Sequence, residues 1–538
     1  LVPQPLLPPD LRSRLAELAL VLSLLPTLLS CNAKENQGQL QTLHRGISGE
    51  PSTLIPSGAV DTFSIEVLRD LYEGLTTDAP NGDVVPGVAS SWDLDPAGIT
   101  YTFHLRPNAL WSNGKPVRAS DFVIAWERIV DPKYASPIAD DLRVIAGAPL
   151  IINGLAPPSS LGVFAAGDQV LIVKLSQPTP YFLQILTHPS AYPIYSDPTT
   201  NTIDPKRSVS NGPYVLSAWA PGTKLNLVRN EQYWDRSNVH VPNVEYQIAD
   251  ENSQFARYRS GQLDMTDTVP PNAVRALQAS VPNELLISPF LATAYYGLNL
   301  KAGPLASNLL LRQSLAMAIN RKQLAAQLMF GQVGAYGFVP PGTWNYSPQS
   351  WAWKDEEDAE RVANAKRFFA AAGYTTNTPL HLRLLFNSDA VIKRTAIMVA
   401  SMWKDVLGID VELTEEEYRV FLQSRRDKSR WDVVRLGWTA DYNDASNFLD
   451  IFREQSSNND SGFKDTSYDA QLDEAARTAD PVRRRTILEA SERQMLMDYP
   501  VIPLYFFVSK RLIKPYVEGV NSNPLNQVGS KSLTIVAH

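Results

Sequence analysis

Between residues 382 and 444 the sequence changes period several times, and this alternation limits the folds open to it. An apolar run, 382–386, ends in Asn387, and residues 390–406 then repeat apolar positions at helical spacing. A second apolar run, 409–413, leads into Thr414 and Glu417, which have the spacing of a capping box. The stretch WDVVRLGWTADYND, 431–444, then supplies β-branched Val433 and Val434, a Gly437 that admits close backbone approach, and a polar and aromatic end. Strand, helix, strand predicts a parallel βαβ unit. In such sheets ligands sit beyond the carboxyl ends of strands, where Asn387 and Asp441 both fall. Asp441 reads either as a ligand-facing carboxylate or as a capped surface residue, and the flanking Trp438 favours the former.

At 538 residues the chain exceeds one ordinary core, so two or three domains are expected. With 49 Lys+Arg against 56 Asp+Glu the net charge is −7, which argues against a basic nucleic-acid footprint. Near the start, Arg12 and Arg14 precede a Leu-rich run, 15–29, that is short for a membrane span and stops at Cys31, the only Cys. This looks like a bacterial lipoprotein signal (1–30), with Cys31 taking a lipid anchor and 31–40 forming a polar tether. The ordinary secretory signal is the competing reading, and it leaves a lone exported thiol.

Further along, 43–47 reads as a first strand and 62–75 as a helix ending near Gly74. Residues 100–105 alternate as a strand, and Ser120 has the type and place of an N-cap. Trp111 and Trp126 read as core. Asn211-Gly212-Pro213 and the strand 224–229 suit a hairpin, and a helix within 256–267 ends at Gly261 before a strand. Residues 289–300 should cross between domains, 309–326 and 355–372 are helical, and 501–508 returns as a strand. Residues 331, 334 and 337 are evenly spaced glycines without the dinucleotide-binding pattern.

The Gly437-Trp438-x-Ala440-Asp441-Tyr442-Asn443 run resembles that of the oligopeptide-binding proteins, the extracytoplasmic receptors of peptide ABC importers. Residues 86–132 (PGVASSWDLDPAGITYTFHLRPNALWSNGKPVRASDFVIAWERIVDP) and 211–235 (NGPYVLSAWAPGTKLNLVRNEQYWD) carry the same resemblance, which spans nearly the whole chain after Cys31. It implies an α/β periplasmic binding protein-like fold, with two lobes around a ligand cleft and an extra domain. The divisions are 41–72 with 197–291 and 508–538, then 73–196, then 292–507. It implies that Asp441 holds the ligand's α-ammonium, and that Trp438, Thr439, Tyr418 and Asn387 stand near it. Tyr295 either lines the cleft or fills a sheet face. Val60 and Thr62, before the first helix, are the positions that pair with the ligand backbone. Short peptides, an ABC permease and a membrane reached through the lipid anchor are the implied partners. The chain is expected to be a monomer in the periplasm or cell envelope, with no cofactor and no nucleic acid.

Catalytic patterns do not appear in the sequence. The six His residues are scattered, with no His-Glu-x-x-His pair, nucleophile elbow or phosphate loop. A secreted hydrolase using Asp441 and Asp444 for acid/base work is the alternative, as is a receptor of the same fold for murein peptide or another solute. Ligand length is expected to be short. Met329 and Ile392 stand where the family carries Lys and His, and Ile138 replaces a Tyr. Arg425 and Arg435 match family arginines suited to bidentate carboxylate binding, which favours tripeptides.

Overall fold

The computed structural model describes residues 42–538 apart from 60, 198–203, 205, 329–330 and 376–378. Cys31, Val60 and Met329 lie outside the described residues. Three sheets carry the architecture. The first runs Thr42–Ile47, Asn243–Ile248, Lys224–Arg229, Tyr214–Ala220, with only its first pair parallel. The second is antiparallel throughout, in the order Ala89–Leu94, Thr100–Leu105, Val170–Lys174, Val163–Ala165. The third has six strands in the order Val333–Gly334, Val501–Leu512, Leu285–Leu298, Val433–Thr439, His381–Asn387, Asp410–Glu416.

The predicted parallel unit exists in altered form. Asp410–Glu416 and Val433–Thr439 are parallel, but His381–Asn387 lies between them and pairs with both. The connecting helix is Tyr418–Ser424, and its N-cap is Glu417, whose side chain accepts from the amides of Arg419 and Val420. Thr414 pairs within the strand instead, because a parallel edge supplies ladder partners that a cap would forfeit. A similar shift occurs at Ala119–Val130: Ser120 sits in the first turn, and Asp121 closes the helix end by accepting the Arg118 amide at 2.9 Å. The helix Thr62–Leu71 stops before Gly74, and Asp61 caps it through the Ser64 amide. The single helix expected over 309–326 is two, Leu309–Ala318 and Arg321–Leu328. Residues 263–266 form only isolated bridges rather than a strand.

Two large apolar cores result. One gathers residues from Leu43 to Met265, including Trp111 and Trp126, and takes Val517 and Leu533 from the end of the chain. The other, from Leu291 to Tyr505, surrounds the six-stranded sheet. The helix Ala390–Leu407 shows how that second core is built. Asp389 caps it through the amides of Val391 and Ile392, Ile392, Thr395, Ala396, Val399 and Trp403 face inward, and Gly408 turns at φ 71°. The strands Leu285–Leu298 and Val501–Leu512 run antiparallel out of the second core to a third, smaller cluster that takes Leu285, Ile287 and Leu512, and their ladder breaks register between Pro289 and Thr293. Such an irregularity bends the ribbon where the two halves meet.

Candidate functional site

The strand Val433–Thr439 is buried at its start and opens at Gly437. Beyond it the chain cannot continue the ladder, and three hydrogen bonds to Asn447 shape the loop. Asn447 Oδ1 accepts the Trp438 indole N–H at 2.8 Å and the Asp441 amide at 3.4 Å, while its Nδ2 donates to Asp441 Oδ2 at 3.3 Å. Trp438 thus orients the amide that orients the carboxylate. Asp441 faces open space, yet surrounding protein desolvates it and holds its carboxyl above the usual range, with Asn447 opposing in part. No ion pair to Asp441 is present among the described residues. Three residues on, Asp444 is 1% exposed and takes a bidentate pair of hydrogen bonds from Arg484 at 2.7 and 2.8 Å.

Asp441 and Thr439 form one wall of a cavity of about 900 Å³. The facing walls come from the other half of the chain: the helix Thr62–Leu71, the segment 138–149, residues 176–190, and the C-terminal loop 525–529. Arg511, on the returning strand, also lines it, donating to Asn526. Tyr181 and Tyr442 stack across the gap with ring centres 4.4 Å apart and planes 7° from parallel. Asp141 stands among the facing residues. Burial is the main cause that pushes its carboxyl up to about 6, with the charges of Asp441 and Asp140 adding to it and Ser190 opposing. His188 approaches Asp141 at 3.7 Å, but burial, helped by Arg69, holds the imidazole down to about 3, so this is no ion pair at neutral pH. A small recess beneath Asp441 is lined by Arg69, Asp78, Gln184, His188 and Gln527.

Of the residues expected at the site, the structure brings Thr62, Thr439 and Asp441 to this cavity. Trp438 stands behind it as the partner of Asn447. Tyr295, 3% exposed, packs edge-on against Phe338 with centroids 4.9 Å apart and belongs to the core. Successive residues of its strand from Leu291 to Leu298 are all buried, so both faces are covered there. Tyr418 is 56% exposed on the short helix, stacked on Phe421, and does not reach the cavity. Asn387 is buried at its strand end, with Oδ1 unpartnered. Arg425 lies 3.5 Å from Asp460 and is not among the lining residues. Arg435 is half-buried on the same strand face as Gly437 and Thr439, and has no ion pair among the described residues. Ile392 packs into the core, whereas Ile138 does line the cavity. Sequence reasoning missed Asp141, Tyr181 and His188, which lie in a stretch, 139–196, where it assigned no site residue. The pair Asp140-Asp141, two residues after Ile138, was the available signal.

Asp444, saturated by Arg484, is not free to serve as the second carboxylate of an Asp441–Asp444 acid/base pair. Among the described residues no group of three or more His, Cys, Asp or Glu is placed to hold a metal, and no helix is long and apolar enough to cross a membrane.

Residues 83–460 match the family model described as "Bacterial extracellular solute-binding proteins, family 5 Middle". The periplasmic oligopeptide-binding protein OppA of Salmonella typhimurium is 36% identical over 511 residues, covering 93% of both chains. Two solved structures are similar. The "MppA Periplasmic Murein Tripeptide Binding Protein, Unliganded Open Form" has a TM-score of 0.86 at 35% identity, covering 93% of this chain and 98% of that one. The Haemophilus influenzae OppA complex with RPPGFSPFR has a TM-score of 0.71 at 33% identity, covering 92% and 99%. At nearly equal identity and coverage, the arrangement here is closer to the unliganded open one.

Proposed function

The chain belongs to the family 5 bacterial extracellular solute-binding proteins, and from that premise we propose that it is the receptor of a peptide ABC importer. It encloses a short peptide between its two halves and fixes the α-ammonium on Asp441. The observation that carries the reading is Asp441 itself, a carboxylate oriented by Asn447, without a cation among the described residues, on the wall of a cavity large enough for several residues of peptide. Enclosure of an ammonium beside it exchanges an unfavourable isolated charge for a charge-assisted hydrogen bond. The bend at 289–293, where the two crossing strands lose register, is the hinge about which the halves close.

The peptide's other end is assigned to Arg435, with Arg425 as the second carboxylate partner. Four residues of strand separate Arg435 from Thr439, roughly 13 Å at ~3.3 Å per residue, which an extended tripeptide and an arginine side chain span together. A tripeptide is therefore the favoured length. The three domains are 41–72 with 197–291 and 508–538, then 73–196, then 292–507. The protein acts as a periplasmic monomer, tethered through lipid on Cys31, that feeds a permease and does not cleave its cargo.

Native mass spectrometry of the purified protein, followed by thermal unfolding with alanine peptides of two to six residues, tests this reading. A co-purified peptide mass and a raised unfolding temperature with intact peptide are expected. Cleaved peptide, or no response to any length, would overturn it, and a flat affinity from three to six residues would overturn the length assignment.

A further inference from the structure

We propose that Glu492 is a positioning residue for the ammonium site: a buried carboxylate that gathers the loop 337–349 and, through that loop, fixes Asn443 two residues beyond Asp441. The role rests on the reading of Asp441 given above. Glu492 is 0% exposed on the helix Pro481–Asp498, does not line the cavity, and has no ion pair among the described residues. A carboxylate so placed is costly unless donors surround it. The loop supplies them. Oε1 accepts the amides of Phe338 at 2.6 Å and Val339 at 2.9 Å, and Oε2 accepts the Tyr346 hydroxyl at 2.5 Å and the Gln349 amide at 3.4 Å. Burial pushes the carboxyl up to about 7 against these hydrogen bonds, and Tyr346, Glu489 and Tyr468 are the titratable groups around it.

The loop is bound to the same helix along its length. Asn345 Nδ2 donates to the Pro481 carbonyl at 2.9 Å, the Ser347 amide to Glu489 at 3.2 Å, and Arg493 to Gln349 Oε1 at 2.5 Å. It also closes tightly on itself. A Cβ on Gly337 would stand 1.8 Å from the Gln349 carbonyl oxygen and 3.2 Å from Glu492 Oε1, so only glycine fits where the loop wraps the acid. From this clamp one bond reaches the site: the Trp344 amide donates to Asn443 Oδ1 at 2.8 Å. The next residue, Asp444, is held by Arg484, two helical turns before Glu492 on that helix. One helix therefore fixes both residues at the base of the loop that presents Asp441, Asp444 directly and Asn443 through Glu492. A second bond ties the clamp to the crossing strand, where Thr293 Oγ1 donates to the Phe338 carbonyl at 2.8 Å. Thr293 in turn pairs with Trp438 in the ladder, on the strand that carries the ammonium loop.

Calorimetry with Ala-Ala-Ala and its N-acetyl form tests the role, on the native protein, Glu492→Gln, Asn443→Ala, Asn443→Asp and the double variant of Glu492→Gln with Asn443→Ala. The readout is the ratio of the two affinities, since general damage to the fold weakens both ligands alike. Glu492→Gln keeps the size of the side chain but sets an amide N–H2 against a donor, and it should lower the ratio about tenfold, the scale of one hydrogen bond to a charged group. Asn443→Ala should lower it as much, and the double variant should fall no further than either single one. Asn443→Asp retains the acceptor and should keep the ratio within about threefold of the native value. If Glu492→Gln does not fold, Tyr346→Phe, which removes one donor and leaves the carboxylate, takes its place with an expected fall of about threefold. An unchanged ratio, a double variant whose loss is the sum of the two, or Asn443→Asp as poor as Asn443→Ala overturns the positioning role and leaves the ammonium reading standing. A native ratio near one overturns the ammonium reading and the positioning role with it.

Discussion

Asp441 and Asp444 stand three residues apart in one loop and do opposite work. Asp444 is buried and closed off by a bidentate arginine, so its charge is balanced and the hydrogen bonds of that pair hold the loop to the helix Pro481–Asp498. Asp441 is oriented by an asparagine amide, faces the cavity, and has no cation among the described residues. The difference teaches that a binding carboxylate is recognised by what it lacks. A paired acid stabilises the fold, and an oriented but unpaired one is poised for a ligand.

The largest test of this contrast is Arg484→Ala, which leaves Asp444 buried and unpaired at a cost of roughly 3–5 kcal/mol, read as a large fall in unfolding temperature. A change within experimental scatter would erase the distinction between the two acids. Asp441→Ala should leave the unfolding temperature of the free protein near that of the native one, and should cost about 2–5 kcal/mol of affinity for free-amino peptides. N-acetylated peptides should lose much less, and an equal loss for both would remove Asp441 from the ammonium role.

Acidity sharpens the comparison further. The Asp441 carboxyl titrates above its unfolded value, so the free protein is favoured at low pH and loses that contribution as pH rises through the folded pKa. Peptide binding has the opposite sign, because only the ionised acid pairs with an ammonium. Affinity should therefore fall as pH drops through the raised value, by at most about tenfold per pH unit for one proton, and Asp441→Asn should flatten that part of the profile. The smallest effect is expected of Trp438→Phe, which deletes the indole N–H that holds Asn447. A loss of about 1 kcal/mol in peptide affinity, with little change in the unfolding temperature, is expected from calorimetry. A loss as large as that of Asp441→Ala would place Trp438 against the ligand instead of behind the acid.

Much of the fold was legible because its signals are local. Thr100–Leu105 and Lys224–Arg229 show the alternation of half-buried strands and form at the expected residues. Ala390–Leu407 carries a helical stripe with an Asp cap and a terminal Gly. Caps were less legible. Thr414 and Ser120 have the right side chains, but a sheet partner took the first and Asp121 closed the helix ahead of the second. Tyr295 illustrates the limit at the site, since a tyrosine on a central strand faces either core or cleft according to which side is covered, and here it packs on Phe338.

By itself, then, the sequence determined the element types, the strand end that presents Asp441, and the absence of a recognisable catalytic motif, because these follow from spacing along the chain. Only the tertiary structure decided which acids meet. Asp141 lies 300 residues before Asp441, and Arg484 lies 40 after Asp444. No local pattern encodes the first as a partner across a cavity or the second as a partner in the core. The first pairing depends on how the two halves are set against one another, and the second on how the helix Pro481–Asp498 packs within one core, long-range properties that periodicity and composition do not carry.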